Sequence, residues 1–301
     1  DVAQLEEDDF IETTVAISNS EFGDIIYDAI NNSVWAAGDS DNIYEYDITG
    51  ATLNSYPTGN FVGPYRGIAH DSEPTRNRIW MSGSLNDIVV FEDDGTVFGT
   101  FLVNSIFSFC TQPNQLLFVD ANDLVTGNDS IWVGDEDGTG IQAVTKLSAV
   151  TGDPAIVDLA NSTFPLTTVN NNGNCVIDLT YDTGNDAVWA VSRNDAGNTI
   201  IVGFDQSTGT PINGTLTNST YIVSPILPIQ MEYDSVNGWL WILGEDHIIA
   251  VDPNTGNQVT IVETPSFTSS SNLNLGLLVD ETNNILIISD IDGGLHRYDI
   301  A

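Results

Sequence analysis

Residues 229–244 read IQMEYDSVNGWLWILG: an apolar run ends at an aspartate, a short polar turn follows, and a second apolar run carries a tryptophan. The seven-residue spacing is found three times: Asp28 to Trp35, Asp182 to Trp189 and Asp234 to Trp241. Longer versions run from Asp71 to Trp80 and from Asp120 to Trp132, and a sixth, Asp280 to Ile287, has an aliphatic residue in place of the indole. A repeat with a period of roughly 45 to 57 residues predicts a modular fold.

Each copy contains the same succession of short runs rich in β-branched and aromatic residues, separated by Asn, Gly, Ser and Asp. This pattern indicates four β-strands per repeat. Six repeats therefore predict an all-β, six-bladed β-propeller of four-stranded antiparallel blades. We expect one domain over 1–301, with blades at about 23–62, 63–104, 105–160, 173–222, 227–264 and 274–301. The recurrent tryptophans are predicted to fill the gaps between neighbouring blades.

The two ends of the chain suggest how the ring closes. The last repeat stops after its third strand, LHRYDI, whereas residues 1–22 contain an additional strand-like run, FIETTVAIS. We expect this N-terminal strand to complete the last blade, which removes an open sheet edge. The same strand could come from a neighbouring subunit, and closure would then become polymerisation.

Strand runs that end in Tyr, Phe or Val followed by Asp and a Thr-Gly turn, as in residues 252–256 (DPNTG), resemble the six-bladed propellers of the NHL-repeat type and of the gluconolactonase, or senescence-marker, type. In the gluconolactonase group, a calcium ion over the central channel is held by an early Glu and by Asn and Asp residues. Here Glu21 has the wrong offset to Asp28, and residues 228–231 (PIQM) stand where that family would carry an aspartate. The resemblance therefore implies the fold but not the metal site.

The composition is strongly acidic, with a formal net charge of −37 and only six Lys and Arg residues. Such a surface repels phosphate backbones and anionic lipid, so we expect no nucleic-acid partner and no membrane insertion. Asp1 is interpreted as a processed terminus, and the protein is predicted to be extracellular or at the cell surface. On count alone, Cys110 and Cys175 fit either one disulfide or two free buried thiols, but both precede first strands of adjacent blades, which favours a disulfide. Five sequons permit glycosylation: Asn31, Asn128, Asn161, Asn213 and Asn218.

A ligand or partner site is predicted on one rim, where second-to-third strand turns and inter-blade links meet. Its aromatic and basic members are Phe61, Tyr65, Arg66, Phe107, Phe164, Tyr221 and Phe267. Two acidic turns resemble fragments of calcium loops, with Asp135, Asp137, Asp290 and Asp292 as ligands, although Asp-Gly pairs are also ordinary hairpin turns. The three histidines show no metal-ligand spacing, and no catalytic residue is assigned.

These observations favour a secreted, non-catalytic propeller that acts as a structural or interaction module, such as a surface-layer, adhesion or fibre subunit. Its partners would be proteins, carbohydrates or further copies of itself. Two alternatives remain at this point: a calcium-dependent hydrolase or lactonase, with calcium as cofactor, and a carbohydrate-binding propeller. A propeller fold alone does not separate them.

Overall fold

The computed structural model describes 20 parts of the chain: residues 22–28, 30–38, 42–47, 51–57, 67–73, 76–82, 87–102, 115–119, 129–137, 141–149, 163–165, 176–193, 199–207, 212, 220–223, 228–244, 247–263, 276–281, 284–289 and 295–300. Their regular secondary structure consists of 23 strands. Within these ranges no helix has the length and apolar character needed to cross a bilayer.

The first three sheets each contain four antiparallel strands. Sheet one comprises β1 (Phe22–Asp28), β2 (Ser33–Gly38), β3 (Asn42–Asp47) and β4 (Thr52–Pro57). Sheet two comprises β5 (Ile68–Asp71), β6 (Arg78–Ser82), β7 (Asp87–Glu92) and β8 (Val97–Leu102). Sheet three comprises β9 (Gln115–Val119), β10 (Ser130–Asp137), β11 (Ile141–Ser148) and β12 (Thr163–Pro165).

The next two sheets also have four strands, and the last has three. Sheet four comprises β13 (Asp178–Asp182), β14 (Ala187–Arg193), β15 (Thr199–Asp205) and β16 (Thr220–Val223). Sheet five comprises β17 (Pro228–Asp234), β18 (Trp239–Gly244), β19 (His247–Val251) and β20 (Gln258–Glu263). Sheet six comprises β21 (Gly276–Asp280), β22 (Ile285–Ser289) and β23 (Leu295–Asp299).

Strands pair in sequence order within every sheet, which is the up-and-down order expected of propeller blades. The prediction of six four-stranded blades is wrong, because only five of the sheets formed by the described residues have four strands. The remaining sheet has three strands. The run at residues 10–18, predicted to complete the last blade, lies outside the described residues. The third sheet ends at Pro165, beyond the predicted limit of residue 160, because β12 was not recognised in the sequence.

The tryptophans of the repeat lie in the core, as the spacing predicted. Trp35, Trp80, Trp132, Trp189 and Trp241 are all at most 1 % exposed. Four of them belong to apolar clusters shared with the next sheet along the chain; Trp189, for example, is grouped with Met231 and Tyr233 of β17. Burying an aromatic side chain removes a large apolar area from water, so these positions contribute strongly to sheet-to-sheet packing.

Space for two of the indoles comes from small residues on the adjacent strand. Trp189 pairs with Gly203, and Trp241 pairs with Ala250. A Cβ atom added at Gly203 would lie 2.8 Å from the ring of Trp189, closer than carbon atoms normally approach. The glycine is therefore required by the close approach of the indole.

The contacts divide the chain into two compact units. One contains the first three sheets and the other contains the last three. In the first unit, β1 lies beside β5 and β5 beside β9; in the second, β13 lies beside β17 and β17 beside β21. First strands of successive sheets are therefore neighbours within each unit.

Candidate functional site

The aspartate that ends the first strand organises the turn that follows it. In β17, Oδ1 of Asp234 accepts hydrogen bonds from the backbone N–H groups of Val236 and Asn237, at 3.0 and 3.1 Å. The Nδ2 atom of Asn237 donates to Oδ2 of Asp234 at 2.7 Å. Asp28 and Asp182 make the corresponding bonds to their own turns. A buried carboxylate therefore satisfies the turn donors that would otherwise have no partner.

Each of these turns also needs one residue with positive φ. The residues four positions after Asp28, Asp182, Asp234 and Asp280 have φ values between 52° and 69°: Asn32, Asp186, Gly238 and Asn284. Asn, Asp and Gly are the residues that adopt this conformation at low cost. In the copies with seven-residue spacing, the turn thus requires an aspartate, an asparagine three residues later, and then a residue with positive φ.

The indole takes part in the same network. Nε1 of Trp189 lies 3.3 Å from Oδ2 of Asp182, and Nε1 of Trp241 lies 3.2 Å from Oδ2 of Asp234. In these two copies the seven-residue spacing reflects a buried hydrogen bond as well as packing, whereas Nε1 of Trp35, seven residues after Asp28, is buried without a hydrogen-bond partner.

Sheet two departs from this arrangement. Its turn is two residues longer, and Arg76 replaces the asparagine as the donor to Asp71, with Nε–Oδ2 at 2.6 Å. Nη2 of Arg76 also lies 2.5 Å from Oδ2 of Asp129, which precedes β10 of the next sheet. The guanidinium is therefore enclosed between two buried carboxylates of neighbouring sheets.

Burial and hydrogen bonding act in opposite directions on this cluster. Burial raises the pKa of Asp71, and the hydrogen bond from Arg76 only partly opposes that effect. Burial lowers the pKa of Arg76, but its bonds to Asp71 and Asp129 outweigh this and raise it overall. Arg76 therefore stays charged in the folded protein and offsets the cost of two buried carboxylates.

In sheets two and five, the residue before the aspartate contacts the preceding sheet, whereas Tyr27 and Tyr181, in the same place in sheets one and four, bond within their own turns. His70 precedes Asp71, and its Nε2 atom lies 2.7 Å from Oδ1 of Asn77 and 3.5 Å from Oδ1 of Asp28, at the end of β1. Tyr233 occupies the same place before Asp234, and its hydroxyl bonds to Asp182 at the end of β13. Burial and the negative charge of Asp182 together raise the pKa of Tyr233.

Polar side chains also bridge neighbouring first strands through the backbone. The N–H of Met231 donates to Oδ2 of Asp178 at 2.7 Å, and the N–H of Tyr233 donates to Oγ1 of Thr180 at 3.0 Å. One sheet further on, the N–H of Leu277 donates to Oε1 of Gln230. Asp178 and Gln230 both lie four residues before the aspartate of their own sheet, so the same contact is repeated from one sheet to the next. In each case the side-chain oxygen accepts from a backbone N–H at the edge of the neighbouring sheet, where no strand pairs with it.

The predicted rim falls largely outside the described residues. This applies to Phe61, Tyr65, Arg66, Phe107 and Phe267. Phe164 and Tyr221 were predicted in inter-blade links, but they lie on the fourth strands β12 and β16, opposite Val144 and Ile201. Their placement in links was wrong because the fourth strands of these two sheets were not recognised in the sequence.

The predicted metal, disulfide and sugar positions lie largely outside the described residues. Asp135 and Asp137 lie on β10, paired with Ala143 and Ile141, so strand pairing continues through a segment predicted as turn. Asp290, Asp292, Cys110 and Cys175 lie outside the described residues, as do Asn128, Asn161, Asn213 and Asn218. Among the described side chains, no group of three or more His, Cys, Asp or Glu could hold a metal. Asn31 is exposed, but its Nδ2 atom, where a glycan would attach, donates to Asp28 at 3.0 Å.

Sequence reasoning missed Arg76, Asp178, Thr180 and Gln230. Arg76 could have been found, because the turn from Asp71 to Trp80 is longer and carries an arginine where an asparagine is usual. Gln230 entered the sequence analysis only as part of residues 228–231, where the metal-site aspartate of the similar family is missing. Its fixed offset before Asp234, shared by Asp178 before Asp182, was the available signal.

Comparison with known proteins identifies the fold. No protein-family model and no curated protein matches the sequence. Among solved structures, the chain is similar to the Dos1 propeller, with a TM-score of 0.62 and 8 % identity over 93 % of this chain and 68 % of that one. It is also similar to a chain in the mitotic checkpoint complex, with a TM-score of 0.62 and 9 % identity over 94 % of this chain and 75 % of that one. The protein has a β-propeller fold built from small antiparallel sheets.

Proposed function

We propose that this protein is a secreted, non-catalytic β-propeller that serves as an extracellular structural or interaction module. The observation that carries the proposal is the use made of the buried polar side chains. Asp28, Asp182 and Asp234 bind turn donors, and Arg76 joins two sheets through carboxylates. These groups stabilise the scaffold rather than present free ligands or a nucleophile.

The charge of the chain indicates what such a scaffold would bind. With a formal net charge of −37, the surface attracts cationic partners and repels anionic ones. The similar chain in the mitotic checkpoint complex belongs to a protein assembly, which fits a protein as the partner. That similarity extends to the fold alone.

We also propose that residues 10–18 supply a fourth strand to the last sheet, beside β23. The support is that the other five sheets have four strands each. Deleting residues 1–18 should lower the midpoint of unfolding, and adding the peptide FIETTVAIS should restore it. A deletion without effect would contradict closure by this segment.

The test of the functional proposal compares calcium, magnesium and a chelator. Unfolding midpoints and hydrolysis of a panel of lactones are measured in each condition. We expect no hydrolysis, and we expect calcium and magnesium to stabilise the chain equally, because both only screen the negative charge. Hydrolysis that requires calcium, together with stabilisation by calcium beyond that by magnesium, would show a lactonase and overturn the proposal.

A further inference from the structure

We propose that Asn237 is a site of spontaneous chemical modification, at which the side-chain amide is lost as ammonia while the turn after β17 is open. The reaction is an intramolecular attack by the backbone nitrogen of Gly238, and water is the only co-reactant. Because it needs neither an enzyme nor a partner, the inference is independent of the proposed function.

The pair Asn237–Gly238 has the sequence in which this reaction is least hindered. The nitrogen of Gly238 forms a bond to Cγ of Asn237, the Cγ–Nδ2 bond breaks, and the amide proton of Gly238 leaves with the ammonia. Water then opens the cyclic succinimide at either carbonyl, which yields aspartate or isoaspartate. Glycine permits the attack because it has no Cβ to shield its own backbone nitrogen. Of the three Asn-Gly pairs in the chain, this is the pair that lies within the described residues.

In the closed turn, both reacting groups are held by hydrogen bonds. The N–H of Gly238 donates to the backbone oxygen of Asp234 at 2.8 Å. Nδ2 of Asn237 donates to Oδ2 of Asp234 at 2.7 Å and to Oδ1 of Asn284 at 3.2 Å. Ring closure brings Cγ of Asn237 within bonding distance of the nitrogen of Gly238, and this movement breaks the bonds made by both groups. The turn must therefore open before the amide can be lost.

The position of the turn makes local opening possible. Ser235 and Val236 are exposed, and Asn237 and Gly238 are half-buried, so water reaches the reacting groups. A Cβ atom added at Gly238 would meet nothing within 4 Å, which leaves room for the succinimide ring. A surface turn held by a few hydrogen bonds opens at a lower free energy than the sheet to which it belongs.

The product cannot re-form the contacts of the turn. An aspartate at position 237 presents oxygen atoms where the amide presented hydrogens, and its partners, Oδ2 of Asp234 and Oδ1 of Asn284, are both acceptors. The new carboxylate also lies beside the buried carboxylate of Asp234, and like charges at this distance repel. The bond to Asn284 joins the turns of sheets five and six, as does the bond from the N–H of Ser235 to Oε1 of Glu281 at 2.8 Å. Deamidation therefore weakens this junction permanently.

The turn after β13 provides a matched comparison within the same chain. The N–H of Asn185 donates to Oδ1 of Asp182, and Nδ2 of Asn185 donates to Oδ2 at 2.7 Å, as at Asn237. The residue that follows Asn185 is Asp186, which has a φ of 52° but is not a glycine. Its side chain hinders attack by its backbone nitrogen, so Asn185 should react far more slowly.

Incubation of the full chain in mildly alkaline buffer, followed by peptide mass spectrometry, tests the inference. The conversion of amide to acid is measured at Asn237 and at Asn185, both in buffer and in urea that unfolds the chain. We expect conversion at Asn237 in both conditions, at a rate at least about tenfold lower in buffer, because several hydrogen bonds must break first. Conversion at Asn185 should be far slower in both conditions.

Three variants identify the nitrogen and the gate. G238N should remove the reaction at Asn237, because it introduces the residue found at the corresponding position 32, which also has positive φ. N284G should accelerate the reaction in buffer, since it removes the acceptor on sheet six and keeps a residue suited to positive φ. N185A weakens a different turn and should leave the rate at Asn237 unchanged. Equal acceleration by N284G and N185A would mean that global unfolding, rather than this turn, controls the reaction.

The effect of the product is measured with N237D and N237A, which both remove the donor, whereas only N237D adds a carboxylate. We expect N237D to have the lower midpoint of unfolding at neutral pH, because its charge faces that of Asp234. Equal midpoints would contradict the predicted weakening by the product. The inference as a whole would be overturned by conversion at Asn237 no faster than at Asn185, or by equal rates in buffer and in urea. None of these results bears on lactone hydrolysis, so the inference and the proposed function can fail separately.

Discussion

The turns after β5 and β17 occupy the same place in the repeat but are stabilised by different chemistry. Around Asp234 the partners are neutral: backbone N–H groups, the amide of Asn237 and the indole of Trp241. Around Asp71 the main partner is the guanidinium of Arg76, which is shared with Asp129. The same buried carboxylate is therefore satisfied by dipoles in one sheet and by a full charge in another.

The difference shows what the repeat conserves physically. A turn that follows a buried strand needs an acceptor for its N–H groups, and a carboxylate supplies two oxygens for this purpose. The donors to the second oxygen can vary provided that the charge is offset. Where a cation does this, a second carboxylate is accommodated as well, and the stability of the site becomes sensitive to loss of that cation.

Removing the cation should have the largest effect. R76M leaves Asp71 and Asp129 buried without their partner, and we expect it to destabilise the protein by about 3–5 kcal/mol in urea unfolding. The matched control is N185A, which removes one neutral donor to Asp182 and should cost about 1–3 kcal/mol. If R76M lowers the free energy of unfolding no more than N185A does, the turn after β5 depends on its charged partner no more than the turn after β13 depends on a neutral one, and the prediction is wrong.

The pH dependence of R76M distinguishes lost charge from lost packing. Burial already raises the pKa of Asp71, and removing Arg76 raises it further. The folded state then favours the protonated carboxyl, so the penalty is full at pH 7 and decreases as pH falls through the folded-state pKa of Asp71. A penalty that stays constant down to pH 4 would indicate that only packing was lost.

Removing a side-chain contact between the first strands of neighbouring sheets should have an intermediate effect on the free energy of unfolding. Y233F removes the hydroxyl bound to Asp182 and should destabilise by about 1–2 kcal/mol at pH 7, because Asp182 keeps its turn donors. H70F is the counterpart in the charged region, where Nε2 contacts both Asn77 and Asp28. We expect a similar loss at pH 7, measured by the same unfolding experiment.

Alkaline unfolding separates these two variants. Since the pKa of Tyr233 is raised above its ordinary value of 10.0, stability from this group is full below pH 10 and is lost as pH rises further. Y233F should therefore lose less stability than the wild type above pH 10, whereas H70F should follow the wild type. Parallel curves for wild type and Y233F would contradict the hydroxyl-to-carboxylate bond.

The sequence predicted the strands, the aspartate turns and the buried tryptophans because each has a local signature. Asp234, the left-handed Gly238 and Trp241 lie within eight residues, so their relation appears directly in the repeat. Arg76 and Asp129 are 53 residues apart, and Asp178 and Met231 are also 53 apart. Contacts between sheets depend on how first strands align across a unit, which no single repeat specifies.

The fourth strands and the rim were predicted least well. Phe164 lies on a three-residue strand, β12, and Tyr221 on a four-residue strand, β16, both too short for an alternating pattern to be visible. Among the fourth strands whose side chains are described, β4 has four exposed residues in succession. A solvent-exposed strand has no buried face, so its sequence lacks the alternation of apolar and polar residues that identifies a strand and resembles that of a link between blades.

The smallest expected effect belongs to the other arginine of the same sheet. Nη2 of Arg78 lies 3.3 Å from Oε1 of Glu92, whose side chain is 32 % exposed, and the guanidinium also lies 3.5 Å from the ring of Phe98. E92Q keeps the packing and removes one charge, so we expect a loss of about 0–1 kcal/mol that disappears in about 1 M NaCl. The deficit of R76M should persist at that salt concentration, because a buried pair is screened much less. Equal salt sensitivity of the two variants would mean that the carboxylates around Arg76 are accessible to solvent ions.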